Sequence, residues 1–193
     1  MLSIDKTRDF YDKFASLYEK NLNRFYFERK LEIVSRIKCS RVLDVGCGTG
    51  KYLRRIDAHE RYGVDISRQM IEIGKKKAKD IVLKVANAEK LPFKENYFDF
   101  VFSLDMLEHT PNPESAISEM HRVLKNGGTM IVTTPNPKFH FILKIIESLG
   151  LKFPEGPHEY IAKEDIQKWL YGFSSVKIYR ILFGGILVAE AKK

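Results

Sequence analysis

The chain lacks the features that would carry it out of the cell or into a bilayer. Its 193 residues hold only two cysteines, Cys39 and Cys47, with no His or further Cys at ligand spacing. Neither a disulfide framework nor a metal site is suggested. No run of ~18 apolar residues exists, so no segment is expected to span a membrane. Met1 to Phe10 carries Asp5, Lys6, Arg8 and Asp9 without an apolar stretch, which argues against a secretory leader and makes the cytoplasm the expected location. Acid is in deficit, with 25 Asp+Glu against 33 Lys+Arg and a formal net charge of +8. Such a surplus suits nucleic acid, anionic lipid or an acidic substrate and singles out none of them. Its one cluster, Lys75-Lys76-Lys77 with Lys79, closes an expected helix, where cations complement the helix dipole. A length of 193 residues with 44% hydrophobic content suits a single domain, 1–193, with one core on both faces of a sheet.

What the chain does have is glycine in a telling place. Arg41-Val42-Leu43-Asp44-Val45-Gly46-Cys47-Gly48-Thr49-Gly50 reads as a short buried strand running into three glycines spaced two apart. Glycine there permits positive φ and lets a flat ligand lie against bare main chain. Nineteen positions after Gly46, the strand-like run Arg61-Tyr62-Gly63-Val64-Asp65 ends in an acid, which can accept from both hydroxyls of a ribose. A nicotinamide dinucleotide fingerprint would place its third glycine where Lys51 stands. Here the third glycine comes one residue early. Asp44 at the strand end would also repel a pyrophosphate, whereas it suits a ligand carrying an ammonium and a sulfonium. Both points favour S-adenosylmethionine over NAD.

Further patterned runs follow in order: Asn87-Ala88-Glu89-Lys90-Leu91-Pro92-Phe93, Phe98-Asp99-Phe100-Val101 and Asp105-Met106-Leu107-Glu108-His109. With Val42 to Gly50 and Asp65, these resemble the ordered motifs of class I S-adenosylmethionine-dependent methyltransferases. The small-molecule branch that includes the ubiquinone and menaquinone methyltransferases is the most similar. The resemblance covers roughly residues 40 to 135 strongly and both ends in outline. It implies an α/β fold with a doubly wound, seven-stranded, mostly parallel sheet and an antiparallel last strand. It implies S-adenosyl-L-methionine as cofactor, held by Asp44, Gly46, Cys47, Gly48, Gly50, Asp65, Ile66, Asn87 and Ala88, with Leu104 contributing backbone. Asn87 replaces the family's usual Asp, keeping a carbonyl for the adenine amino group but losing the charge. The small side chain of Cys47 suits packing within the loop rather than nucleophilic chemistry.

Residues 1–38 are expected to form a helical arm that covers the cofactor, with Tyr11 of Tyr11-Asp12-Lys13-Phe14-Ala15 contacting the ligand and Tyr18 following on the same helix. Residues 39–135 form the expected cofactor core, with Tyr52, Leu53 and Ile56 as the buried stripe of a first crossover helix. Ser67 is expected to cap the next helix. Asn112 with Pro113 should start another, which Gly127-Gly128 stops. Residues 136–161 are expected to form a substrate lid. Within them, 138–149 is apolar on more than one stripe and needs cover besides the sheet. Burial, a lipophilic pocket, a second copy in a homodimer and peripheral membrane contact all remain open. Residues 162–193 give a helix near Lys163 to Leu170 and a final strand pair.

Methyl transfer from a sulfonium is an in-line displacement in which positioning and water exclusion do most of the work. If the acceptor is a hydroxyl, His109 beyond the fourth strand is the best-placed base. His140 and His158 could meet substrate, while His59 and His121 read as surface residues. A nucleic-acid acceptor is the minor reading. The place after the fourth strand holds Ser103-Leu104-Asp105-Met106 rather than a base-stacking Pro-Pro-aromatic segment. The reading is therefore a small-molecule methyltransferase. A non-catalytic cofactor-binding subunit and an NAD-linked oxidoreductase are its rivals.

Overall fold

The structure, a computed structural model, describes residues 2–18, 24–139 and 156–193. Strands β1 (Cys39–Val45), β2 (Ala58–Asp65), β3 (Val82–Val85), β4 (Phe98–Leu104), β5 (Leu124–Pro135), β6 (Ser175–Ile181) and β7 (Ile186–Lys192) make one sheet. Their spatial order is β3-β2-β1-β4-β5-β7-β6. All pairings from β3 to β5 are parallel, and β7 runs antiparallel to both β5 and β6. This is the mostly parallel α/β sheet expected from the sequence. The strand order reverses between β1 and β4, and a crevice opens there at the carboxyl ends of the strands.

Five helices accompany the sheet among the described residues: α1 (Ile4–Tyr18), α2 (Arg24–Val34), α3 (Arg68–Lys77), α4 (Pro113–Val123) and α5 (Lys163–Trp169). The central strands are covered on both faces, so they read as near-continuous apolar runs. Leu43, Val45 and Val101 pack with Ile117 and Met120 of α4 and Ile166 of α5. On the other face Val42, Phe100 and Phe102 pack with Leu31 and Val34 of α2 and Ile71 of α3. Phe98 and Phe100 face opposite sides although two apart, because the β4–β5 register shifts between them. That irregularity breaks the two-residue alternation.

Caps fix the helices that point at the crevice. The Ser67 hydroxyl accepts from Met70 N–H at 3.0 Å, opening α3. Asn112 Oδ1 accepts from Ser115 N–H at 3.0 Å, with Pro113 leading α4. Each cap satisfies an N–H that the helix leaves without an internal partner.

Two expectations require correction. The first crossover is a single 3₁₀ turn, Leu53–Arg55, rather than a helix. β2 begins at Ala58, three residues before the expected Arg61, which leaves too little chain for a helix. Leu53 and Ile56 are still buried. Gly127-Gly128 does not end α4, which stops at Val123. The pair lies inside β5, with Gly127 at φ +77°. The expected helical arm contains α1 and α2, with residues 19–23 outside the described ones. The apolar helix expected over 138–149 falls mostly outside the described residues, as does His140. Residues 138 and 139 belong to one 3₁₀ turn, Pro137–Phe139.

Phe102 is fully buried between the strands and α2. Phe102→Ala should therefore lower the unfolding free energy by about 3–5 kcal/mol, read from the shift in denaturant midpoint.

Candidate active site

The glycine loop hangs from β2 by two hydrogen bonds. The N–H groups of Gly46 and Cys47 both donate to the Val64 carbonyl, at 2.8 and 2.9 Å. Gly46 at φ +81° and Gly48 at φ +53° take the left-handed backbone that the turn requires. Gly46 is also pressed by Met106, whose Cγ would stand 2.4 Å from any added Cβ. Asp65 closes the loop from the neighbouring strand. Its Oδ2 accepts from Gly48 N–H at 2.7 Å and its Oδ1 from Ser67 N–H at 2.9 Å.

A cavity open to solvent lies above this loop. Of the residues expected to hold the cofactor, Gly46 and Gly48, then Asp65 and Ile66, then Asn87 and Ala88 line it along the carboxyl edge from β1 to β3. Leu104 and His109 line it beyond β4. Tyr11 enters from α1 together with Ile4, Thr7 and Tyr18. Those four share one helical face.

Asp44, Cys47 and Gly50 stand behind the wall. Cys47 is buried, and its Sγ lies 2.7 Å from where a Cβ on Gly63 would be, so the thiol packs in the core. Gly50 rests against Leu83. Asp44 is 2% exposed, and its Oδ2 has no hydrogen-bond partner among the described residues.

Those acids set the electrostatics. Burial, then the nearby Asp65, pushes the Asp44 carboxyl well above the usual carboxylate range. Burial pushes Asp65 up to about 6, aided by Asp12 and opposed by the N–H groups of Ser67 and Gly48. Burial raises the Tyr18 hydroxyl, and Asp105, Asp65 and Asp44 raise it further. A site with buried acids of this kind disfavours a pyrophosphate and favours a cationic ligand. The orphaned Asp44 oxygen, the bare glycine cradle and the paired oxygens of Asp65 fit an adenosyl sulfonium with an ammonium tail.

The arm is fastened over this cavity. Asp12 Oδ1 accepts from the Ser67 hydroxyl at 2.6 Å and from Gln69 N–H at 3.0 Å, holding α1 to the start of α3. The Thr7 hydroxyl donates to the His109 carbonyl at 3.1 Å. His109 itself is 8% exposed. Its Nδ1 lies 2.8 Å from the Pro157 carbonyl, and Tyr11 meets its ring edge to face at 5.5 Å. His158 meets the same ring edge to face at 5.9 Å. Glu159 N–H donates to the Glu108 carbonyl at 2.8 Å, fixing this segment on the Leu107–His109 turn.

Sequence reasoning left out Met106, Asp105 and Lys30. Lys30 of α2 is 8% exposed and pairs with Asp105, which lines the cavity. No local signal separates this lysine from a solvated one. Among the described residues no group of three or more His, Cys, Asp or Glu could hold a metal ion.

Fold and crevice together define an α/β protein with a ligand site at the switch point of a doubly wound sheet. A family model for a methyltransferase domain matches residues 43–132. An uncharacterized protein of Methanocaldococcus jannaschii is 32% identical, over 90% of this chain and 85% of that protein. A demethylmenaquinone methyltransferase of Staphylococcus saprophyticus is 30% identical, over 91% of this chain and 88% of the relative. A solved S-adenosylmethionine-dependent methyltransferase of Thermotoga maritima shares the fold at 24% identity and a TM-score of 0.79, covering 97% of this chain and 99% of that one. The geranyl diphosphate C-methyltransferase of Streptomyces coelicolor, solved with S-adenosyl-L-homocysteine, shares it at 14% identity and a TM-score of 0.65, over 86% and 78% of the two chains. The chain belongs to the class I S-adenosylmethionine-dependent methyltransferases. S-adenosylmethionine is therefore its cofactor, and the NAD-linked and non-catalytic rivals fall away.

Asp65 is the expected acceptor for the ribose hydroxyls of the cofactor, and its ionised form accepts best. With Asp65 at about 6, the ionised fraction falls below that pH, and donor affinity falls with it. Calorimetry should show binding about tenfold weaker at pH 5 than at pH 8. Asp65→Asn should bind more weakly at pH 8 and lose most of that dependence.

Proposed function

We propose that this methyltransferase acts on an oxygen, nitrogen or carbon of a small acceptor, and that an acceptor carrying an acidic hydroxyl is the class that uses its site most fully. The observation that carries this reading is the setting of His109. A neutral imidazole whose Nδ1 faces a backbone carbonyl carries its proton there, so its basic lone pair is on Nε2. Pro157 supplies that carbonyl, and His109 is on the cavity wall beside Met106 and Tyr11. The demethylmenaquinone methyltransferase among the relatives supports an acceptor of this kind without fixing its identity.

In this reading the bound cofactor supplies a methyl group already activated on a sulfonium. His109 takes the acceptor's hydroxyl proton on Nε2 as the acceptor's electron pair forms the new bond to the methyl carbon. The C–S bonding pair stays on sulfur, so charge and atoms balance. The glycine loop and Asp65 hold the donor, and α1 with the 157–159 segment excludes water. Exclusion strengthens each electrostatic contact inside.

Among the described residues no helix is long and apolar enough to cross a membrane. Cys39 and Cys47 are both free thiols, which suits a reducing compartment and supports a cytoplasmic location. Neither a homodimer nor nucleic-acid binding gains support from the described surface.

A screen of phenols and quinols with methyl-labelled donor tests the acceptor class. On the acceptor that turns over, His109→Gln should lower kcat by about 10²–10³-fold while leaving donor affinity within about twofold. An unchanged kcat would remove His109 from the chemistry.

A further inference from the structure

Lys30 is a buried cation that the reaction as described does not use. It belongs to α2, is 8% exposed, and its ammonium pairs with Asp105 Oδ2. Asp105 stands at the carboxyl end of β4 with φ +52°, a left-handed backbone that side-chain-bearing residues seldom adopt. Thr133 holds it there. The Asp105 N–H donates to the Thr133 carbonyl at 3.1 Å, and the Thr133 hydroxyl donates to Asp105 Oδ1 at 2.6 Å. Asp105 lines the cavity, whereas Lys30 reaches it from behind. Among the described residues that line the cavity, none is a lysine or arginine.

The sheet order places this pair relative to the cofactor. Asp65 and Asn87 mark the adenosyl end at β2 and β3, so the sulfonium end falls toward β1 and β4, where Asp105 stands. Tyr18, close over Gly48, feels Asp105, Asp65 and Asp44 together. Asp65 and Asp105 line the one cavity, and Asp44 is buried behind its wall. An Asp105 carboxylate without the Lys30 ammonium beside it would attract a sulfonium more strongly than a neutral thioether. Methyl transfer discharges the sulfonium, so ground-state attraction of that kind raises the barrier instead of lowering it.

We infer that Lys30, acting through Asp105, sets how far the pocket prefers the sulfonium methyl donor over the demethylated thioether product. This rests on the cavity being the cofactor site. Lys30 is a positioning residue that cancels a charge the reaction would otherwise have to pull against.

The test is the ratio of dissociation constants for S-adenosylmethionine and S-adenosylhomocysteine, measured by calorimetry on the whole chain. Lys30→Met leaves the Asp105 carboxylate uncompensated and should shift the ratio toward the donor by about tenfold. Asp105→Asn leaves the lysine uncompensated and should shift it toward the product by a similar factor. The double variant removes both charges at similar volume, leaves no lone buried charge to impair folding, and should return the ratio to within about threefold of wild type. Equal weakening of both ligands in both single variants, or an unchanged ratio, would overturn the inference and reduce the pair to a structural contact. A wild type that bound neither ligand would instead sink the cofactor-site reading, and the inference with it.

Discussion

The rest of the molecule depends on carboxylates held out of water at the end of β1 and β2. Asp44 and Asp65 stand where burial works against their charge. A fold accepts such a cost where a ligand repays it. Asp44 Oδ2 has no hydrogen-bond partner among the described residues and Asp65 lines the cavity, so the site is poised for a ligand that brings donors. The glycines belong to the same loop, where a Cβ at 46 would strike Met106 and positive φ at 46 and 48 disfavours any side chain.

The arm converts that poise into enclosure. Asp12 ties α1 to the cap of α3, close enough to Asp65 to add to its raised pKa. Thr7 and Tyr11 tie the same helix to His109. One helix therefore touches the cofactor acid and the candidate base at once. Holding of donor and exclusion of water from the acceptor side are consequences of the same packing, which keeps the reacting groups in one geometry.

Much of this was legible in the residues. The glycine spacing, the acid at Asp65 and the patterned runs as far as His109 are local signals, and they place the crevice and most of its wall. The parts that were not legible depend on distance in space. Lys30 looks like any helical lysine until α2 packs against β4. Asp105 reads as an ordinary polar residue because a left-handed backbone leaves no mark in sequence. Met106 is apolar in a turn, and only the fold presses it on Gly46. The missing crossover helix is a boundary error: three residues gained by β2 at Ala58 left no length for it. Gly127-Gly128 carries both helix-stop and strand-irregularity signals, and backbone hydrogen bonds to Lys193 beside β7 decided between them.

The measurement that tests the central claim most directly is a calorimetric titration of the whole chain with S-adenosylmethionine, with NADH titrated in parallel at pH 8. The account predicts saturable one-to-one binding of the methyl donor, lost or strongly weakened in Asp65→Ala, and no heat from NADH. Saturable NADH binding, or donor binding unaffected by Asp65→Ala, would contradict it.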